Sequence, residues 1–350
     1  MLMVNTLLRV SLEEDIGQEG RNSNVHIAFD PQLDARLVIK KIPKSDFTQA
    51  EDFFNEAKML YATTHPNIMG VRYATQDKEN IYISMDYYKN GSLNSLMSKK
   101  HLTVKEIVRY SLEFLSGLHF MHTKNLVHFD IKPTNILLND ANRAVVTDFG
   151  LAKYLNENGF ANPDKSYPLH IPPETFKFNK SSTFSDVYQA GLTIYRMCNG
   201  NEFFHDQYRK LNITNSDELA EAIIKNKFPK RNSFLPHIPN KFQQIIKKAI
   251  NPNVEERYES VLEMMNDLST VDCKFDWRYN QHTNTHSSWT RENETHIFVL
   301  ELKKDDDEWF TEGRRIRKSD NKTNKMNKCF TNGYNTKDEA FKSVKALLEV

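Results

Sequence analysis

The alternation of apolar and polar residues over the first ninety positions predicts a small, strand-rich unit. Short apolar runs at 25–28, 36–40 and 81–85 have the length and the β-branched content of strands, and a turn-forming stretch separates the first two. Over 47–60, apolar residues recur at helical spacing and stop before Pro66. The pattern therefore predicts a set of strands that is interrupted by one helix.

Beyond residue 88 the spacing of the apolar residues becomes helical. Val108, Leu112 and Leu115 share one side of a predicted helix, and similar spacing continues to about residue 270. The chain should therefore form a small strand-rich lobe over 1–88 and a larger helical lobe over 89–270.

The composition changes again in the last eighty residues. Residues 271–295 are rich in Asn, Thr, His and Ser, which is typical of a linker. An apolar run at 296–302 and strand-like residues at 309–316 then precede a capping-box pattern that opens a helix at Thr336. These patterns predict a linker over 271–295 and a small β-β-β-α module over 296–350.

Composition and charge exclude several classes of protein. A chain of 350 residues with 39% hydrophobic and 11% aromatic residues can bury a large core, so it is not a disordered chain. Its net charge of +1 gives no global attraction to nucleic acid or to an anionic membrane. No apolar run has the length of a membrane span, and Cys198, Cys273 and Cys329 suggest no disulfide framework. We expect a cytoplasmic protein without a membrane partner.

The most specific motif is His-Phe-Asp-Ile-Lys-Pro-Thr-Asn-Ile-Leu-Leu at 128–138, followed ten residues later by Asp148-Phe149-Gly150. With these residues the sequence resembles the eukaryotic-type (Hanks-type) protein kinase family. The resemblance implies an α+β, bilobal protein kinase fold, with the accessory module following it. It also implies that Asp130 orients the acceptor hydroxyl and that Asn135 and Asp148 bind Mg²⁺.

Other residues fall where the resemblance expects them. Lys40 matches the strand lysine that contacts the ATP phosphates, and Glu56 matches its helix partner. Lys132, two residues after Asp130, favours serine and threonine as acceptors. The resemblance further implies that the nucleotide is bound by Ile16, Gly17, Gly20, Val25, Val38, Lys40, Met85, Asp86, Tyr88 and Leu137.

Three further residues match positions that brace the kinase fold in this family. Asp186 resembles the helix aspartate that supports the catalytic loop, and Glu174 with Arg257 resembles the ion pair that locks the activation segment. The glycine-rich loop departs from the family pattern, because the stretch with Gly17 and Gly20 is one residue longer and lacks the last glycine. This departure bears on nucleotide affinity more than on activity.

Two single residues also depart from the family pattern. Phe129 replaces the arginine of His-Arg-Asp, and a phenyl ring cannot donate hydrogen bonds to a phosphorylated activation segment. We therefore expect that activation does not depend on that switch and that apolar packing takes its place. Tyr167 stands where the serine/threonine kinases have a threonine that contacts the catalytic aspartate and lysine. It leaves the choice of acceptor open.

The leading hypothesis is an ATP- and Mg²⁺-dependent serine/threonine protein kinase that acts on protein substrates, in bacterial or phage-related stress or defence signalling. The alternative is a pseudokinase scaffold that binds a partner or nucleic acid through its C-terminal module. A small-molecule kinase is a third reading, and the Pro172-Pro173-Glu174 ending with the Arg257 counterpart argues against it.

The C-terminal module contains a local basic segment. Residues 311–328 include seven basic and two acidic side chains, a net charge of +5. Such a segment is typical of a solvated loop or of a contact with nucleic acid or an acidic partner. The sequence leaves the oligomeric state undetermined.

Overall fold

The N-terminal part of the chain forms an antiparallel sheet that carries one helix. The computed structural model describes residues 8–16, 24–162, 167–178, 180–273 and 276–348, so the predicted loop glycines Gly17 and Gly20 lie outside the described residues. The elements of this lobe are β1 (Ser11–Asp15), β2 (Asn24–Asp30), β3 (Ala35–Pro43), α1 (Asn55–Ala62), β4 (Val71–Gln76) and β5 (Asn80–Asp86). The strands pair in the order β1-β2-β3-β5-β4.

The helix of this lobe is shorter than its apolar spacing predicts. It begins at Asn55, because the preceding residues form two short 3-10 turns and Gln49 between them is extended. Phe47 and Phe53 pack ring against ring, with centroids 5.4 Å apart. Local aromatic packing therefore replaces the first part of the helix predicted over 47–60.

The second lobe is built around one buried helix. Its elements are α2 (Leu93–Lys99), α3 (Val104–Thr123), β6 (Leu126–Val127), β7 (Ile136–Leu138), β8 (Ala144–Val146), β9 (Lys153–Tyr154), α4 (Pro173–Phe178), α5 (Thr183–Asn199), α6 (Asn201–Arg209), α7 (Ser216–Ile224), α8 (Asn240–Ala249) and α9 (Val261–Ser269). Residues 185–199 of α5 are all buried. A Cβ on Gly191 would lie 2.6 Å from the Ala249 Cβ, so glycine is what allows α8 to approach α5 closely.

The C-terminal region differs from the predicted linker and β-β-β-α module. It contains β10 (Arg278–Gln281), β11 (His286–Glu292), β12 (His296–Asp305), β13 (Glu308–Arg317), β14 (Thr323–Lys325), β15 (Thr331–Tyr334) and α10 (Lys337–Leu348). The strands form one antiparallel sheet, in which β15 pairs with β13. Two of these strands therefore lie within 271–295, where a linker was expected.

Polar residues can form these two strands because their side chains are satisfied inside the sheet. The Tyr279 hydroxyl lies 3.1 Å from the hydroxyl of Ser287, and a ring nitrogen of His282 lies 2.8 Å from the hydroxyl of Ser288. Both serines and Trp289 are buried. Composition favoured a loop, but the cross-strand hydrogen bonds and the alternating aromatic residues stabilise strands.

The module packs against the helical lobe. The Asp276 carboxylate accepts hydrogen bonds from the Lys105 backbone N–H and from the Thr103 hydroxyl, both at 2.9 Å, at the N-terminus of α3. The Tyr279 ring lies between His101 and His237, with centroids 4.7 and 6.1 Å away. These contacts join the module to the helical lobe through hydrogen bonds at the N-terminus of α3 and through aromatic packing.

Ion pairs reduce the field of the basic segment. Arg314 pairs with Glu301 at 3.1 Å, Arg317 with Asp320 at 3.3 Å, and Lys318 with Glu292 at 3.0 Å. Because Glu301 and Glu292 lie outside 311–328, the local charge is smaller than the sequence count indicates. Among the described residues, no helix is both long enough and apolar enough to cross a membrane.

Asp276→Ala should lower the melting temperature by about 2–5 °C, because it removes two hydrogen bonds at a helix N-terminus. Asp276→Asn keeps one acceptor oxygen and should give an intermediate value. The matched control is Asp307→Asn, at a fully exposed turn carboxylate. Equal melting temperatures for Asp276→Ala and this control, measured by scanning calorimetry, would contradict the anchoring role.

Candidate active site

Lys40 joins the two lobes through two carboxylates. It lies on β3, and its ammonium nitrogen is 2.8 Å from a Glu56 carboxylate oxygen and 2.9 Å from Asp148 Oδ1. Glu56 comes from the first turn of α1, whereas Asp148 follows β8 in the helical lobe. One buried lysine therefore fixes the helix and the second lobe relative to the sheet.

Lys40 and Asp148 are both charged at neutral pH. Burial alone would lower the pKa of Lys40, but the charges of Asp148 and Glu56 and their hydrogen bonds raise it above its usual value. The Lys40 charge lowers the pKa of Asp148 to about 2, against the opposing effect of burial. Asp148 is consequently ionised and available as an anionic ligand.

The backbone around Asp148 takes an unusual conformation. Asp148 has φ 66° and ψ 79°, in the left-handed region, and Phe149 is buried against the His128 ring. A Cβ on Gly150 would lie 3.3 Å from both Asp148 Oδ1 and the Lys40 nitrogen. Glycine at this position thus leaves room for Lys40 and Asp148. The side chain of Asp148 is 39% exposed.

Asp130 has one occupied and one free oxygen. Its Oδ2 accepts hydrogen bonds from Lys132 at 2.7 Å and from the Asn135 amide at 2.8 Å. Its Oδ1 is buried and has no hydrogen-bond partner within the described parts of the chain. A buried carboxylate oxygen without a donor is costly unless a ligand supplies one, so this atom fits an incoming hydroxyl.

The catalytic loop that carries Asp130 is held from below by α5. The Asp186 carboxylate accepts the backbone N–H groups of His128 at 2.9 Å and Phe129 at 2.8 Å. Gln189 accepts the Ile131 N–H and donates to the Phe129 carbonyl, both at 2.9 Å. Two side chains, one turn apart on a buried helix, therefore set the path of the loop.

Phe129, which stands in place of the arginine of His-Arg-Asp, is buried. It is 1% exposed and has φ 61°. The ion pair predicted for the activation segment is also present, since two Arg257 nitrogens donate to Glu174 at 3.0 and 2.8 Å. The segment is thus anchored at its end by an ion pair, and the phenyl ring of Phe129 is buried in the catalytic loop.

The predicted nucleotide-binding residues come from both lobes. Val38 faces Met85 across the β3–β5 pair, and Val25 faces Lys40 across β2–β3, which puts the four side chains on one face of the sheet. From the helical lobe, Leu137 on β7 packs half-buried against the same core.

The connection between the lobes carries the other described residues of the predicted adenine site. Asp86 ends β5 and pairs with Arg72 at 2.6 Å, and the Tyr88 carbonyl accepts the Gly91 N–H. The N–H of Ile16 donates to the Val25 carbonyl at 2.8 Å. The sheet residues thus continue directly into the connection. Nucleotide binding by these residues stays a prediction, as it does for Gly17 and Gly20.

The donor set fits a hard cation. Asn135 and Asp148 present an amide and a carboxylate oxygen near Lys40 and Asp130, and oxygen ligands of this kind suit Mg²⁺. Asn135 also donates to the Asp130 backbone carbonyl at 2.9 Å, which directs its side-chain oxygen away from that bond. These two residues would hold the ion.

Sequence reasoning missed a buried histidine–arginine contact. One ring nitrogen of His170 lies 3.0 Å from the Ile131 carbonyl, and the other lies 3.0 Å from a guanidinium nitrogen of Arg196. Since a carbonyl only accepts and a guanidinium only donates, His170 must be neutral with the proton on Nδ1. Nothing in the linear pattern marks these residues, because they come from separate elements.

Burial and the Arg196 charge lower the pKa of His170 well below its usual value. Burial also lowers the pKa of Arg196 to about 10. The pair thus ties the activation segment to α5 and to the backbone beside Asp130 without a phosphate group.

The two-lobed protein kinases are the class of protein that this site defines. In this class a strand lysine pairs with a helix glutamate, and the catalytic loop lies between the two lobes. A family model described as "Protein kinase domain" matches residues 10–268. The chain belongs to this family, which confirms the predicted α+β, bilobal fold.

Several curated relatives are serine/threonine kinases by name. The chain is 26% identical over 270 residues to a probable serine/threonine-protein kinase PknB of Lactococcus lactis, covering 75% of this chain and 42% of the relative. It is 26% identical to the serine/threonine-protein kinase PrkC of Bacillus subtilis, with coverages of 72% and 39%. A yeast cAMP-dependent protein kinase type 3 is 28% identical, with coverages of 69% and 58%. The chain spans less than two thirds of these relatives.

His170 should make folding stability depend on pH. Its folded-state pKa is depressed, so between pH 6.5 and that lower value only the unfolded chain binds a proton there, and stability falls as the solution becomes more acidic. The His170 share is at most about 1.4 kcal/mol per pH unit. His170→Gln keeps a donor and an acceptor, and its melting temperature should fall less steeply from pH 7 to pH 5.

The control for this pH series is His296→Gln, since His296 lies on β12 and contacts Thr295 and Phe298. This variant should keep the wild-type slope. A slope for His170→Gln that equals the wild-type slope would show that the ring already carries a proton in the folded protein.

Proposed function

We propose that this protein transfers the γ-phosphoryl group of ATP to serine or threonine hydroxyls of protein substrates. The observation that carries the proposal is the Asp130 carboxylate. One oxygen is fixed by Lys132 and Asn135, and the other is buried and receives no hydrogen bond from any residue that the structure describes. Membership of the protein kinase family and the names of its relatives support the same reaction class.

Each residue would have a separate task. Asp130 Oδ1 would accept the hydrogen bond of the acceptor hydroxyl and orient its oxygen toward the phosphoryl group. Lys132 would stabilise negative charge that develops during transfer, and Lys40 would position the α- and β-phosphates. Bound Mg²⁺ would offset the phosphate charge through Asn135 and Asp148.

The conformation supports activity without phosphorylation of the activation segment. The Lys40–Glu56 pair is formed, Asp148 faces Lys40, and Glu174 is paired with Arg257. At the position where a phosphate would need a cationic partner, Phe129 is buried. The packing of Phe129 therefore substitutes for an electrostatic switch.

We also propose that the protein acts in the cytoplasm. The three cysteines are all free thiols, as suits a reducing compartment. A role in bacterial or phage-related stress or defence signalling remains a hypothesis that rests on composition.

Asp130→Asn and Asp148→Asn should each reduce phosphoryl transfer by two or more orders of magnitude, on the order of 3 kcal/mol of barrier, because each removes a charge at the reacting groups. The measurement uses radiolabelled ATP, Mg²⁺ and peptides that carry Ser, Thr or Tyr. Asp307→Asn, at the exposed turn, should match the wild type. Equal rates for the wild type and both site variants would refute the proposal.

The pseudokinase alternative makes a different set of predictions. A scaffold without a nucleotide site gives no rise in melting temperature with ATP and Mg²⁺, whereas binding at 100 times the Kd adds about 2.7 kcal/mol of stability. A rise that Lys40→Met abolishes, together with no transfer to any peptide, would indicate a nucleotide-binding pseudokinase. A rise with transfer supports the kinase.

Phosphatase treatment should leave the phosphoryl-transfer rate of the wild type unchanged, because residue 129 is a phenylalanine, which cannot bind a phosphate group. Phe129→Arg should instead destabilise the fold by about 3 kcal/mol or more, since the site is buried and apolar. Phe129→Leu, which keeps an apolar side chain, should cost less. Mass spectrometry checks that the phosphate groups have been removed. Loss of wild-type activity in the dephosphorylated protein would contradict activation without a phosphate group.

A further inference from the structure

Tyr167 lies over the lysine of the catalytic loop. The Lys132 ammonium is 5.2 Å from the centroid of the Tyr167 ring and 2.7 Å from Asp130 Oδ2. Only 17% of the Lys132 side chain is exposed. The ammonium is therefore held between a carboxylate and the face of an aromatic ring, a distance at which the cation is attracted to the ring.

The ring of Tyr167 is itself held by the buried histidine described above. Tyr167 directly precedes the 3-10 turn Pro168–His170, and its carbonyl accepts the His170 N–H at 2.9 Å. The two rings are 5.6 Å apart, and His170 is anchored to Ile131, the residue between Asp130 and Lys132. The position of the ring relative to Lys132 is thus set through the same loop that carries Lys132.

The ring of Tyr167, and not its hydroxyl, contacts Lys132 and His170. Within the described residues the hydroxyl has no hydrogen bond, although it interacts electrostatically with the charge of Arg196. The attraction of the Lys132 ammonium therefore comes from the π face of the ring, and a phenyl ring would attract the cation equally well. An aliphatic side chain of similar volume would fill the space without attracting the cation.

We propose that Tyr167 is a positioning residue for phosphoryl transfer, which holds the Lys132 ammonium beside Asp130 through a cation–π contact. This inference rests on the proposed function, since it assumes transfer at Asp130. A lysine side chain has many rotamers, and the ring restricts the ammonium to the place where the acceptor oxygen and the phosphoryl group meet. Tyr167 acts through Lys132 and does not touch the reacting atoms.

The test is a series of side chains at residue 167 that changes the ring electronics while the volume stays nearly constant. Tyr167→Phe keeps the π face and should give the highest kcat among the variants of residue 167. Incorporation of a trifluorinated phenylalanine, which has a weakened π face, should lower kcat partway. Tyr167→Leu and Tyr167→Met should lower it about three- to thirty-fold, with the KM for ATP unchanged.

Stability controls separate this role from packing. Melting temperatures are measured for every variant, and Tyr61→Leu, at an exposed tyrosine, controls for loss of a tyrosine elsewhere. The fluorinated variant is nearly isosteric and should fold even where the aliphatic variants do not. If the ring only stabilises the fold, kcat should fall in proportion to the loss of melting temperature across the variants, and fluorination should not change kcat.

The outcomes distinguish this inference from the proposed function. If the wild type transfers phosphate but the phenylalanine and trifluorinated variants have equal kcat, the cation–π role is refuted. A Tyr167→Phe variant as slow as Tyr167→Leu also refutes it, because the hydroxyl is then the active group. If the wild type and all variants are inactive while Asp130→Asn makes no difference, the proposed function fails, and this inference fails with it.

Discussion

The contact on which the rest of the site depends is the buried Lys40 ammonium between Glu56 and Asp148. A buried charge is stable only when it is paired, so the β3 lysine requires both carboxylates within hydrogen-bond distance. One carboxylate comes from α1 and the other from the helical lobe. Their need for the same cation aligns the helix, the sheet and the second lobe, and it keeps Asp148 ionised.

In the helical lobe, hydrogen bonds and buried side chains of this chain hold the catalytic loop and the activation segment without a phosphate group. Asp186 and Gln189 fix the catalytic loop from α5, Phe129 fills its interior side, and His170 links the activation segment to Ile131 and Arg196. These contacts form when the chain folds and need no added charge. The active-site geometry is therefore a property of the packed core.

Much of the site was predictable because it is local in sequence. The motif at 128–138 fixes the spacing of Asp130, Lys132 and Asn135, and short strands carry Lys40 and Met85. Contacts between distant elements were not predictable, as with His170 and Arg196, which meet only after α5 is buried. The strands within 271–295 were also missed. Their polar composition favours a loop, and the cross-strand hydrogen bonds that stabilise buried polar residues such as Ser287 are not visible in the sequence.

The docking of the C-terminal sheet has a consequence for how the chain unfolds. Asp276 completes the first turn of α3, and Tyr279 fills the space between His101 and His237, so the sheet and the helical lobe share one interior surface. Neither side can open without exposing part of the other. Thermal unfolding should consequently be cooperative across this boundary, and the helical lobe and the sheet should melt as a single thermodynamic unit.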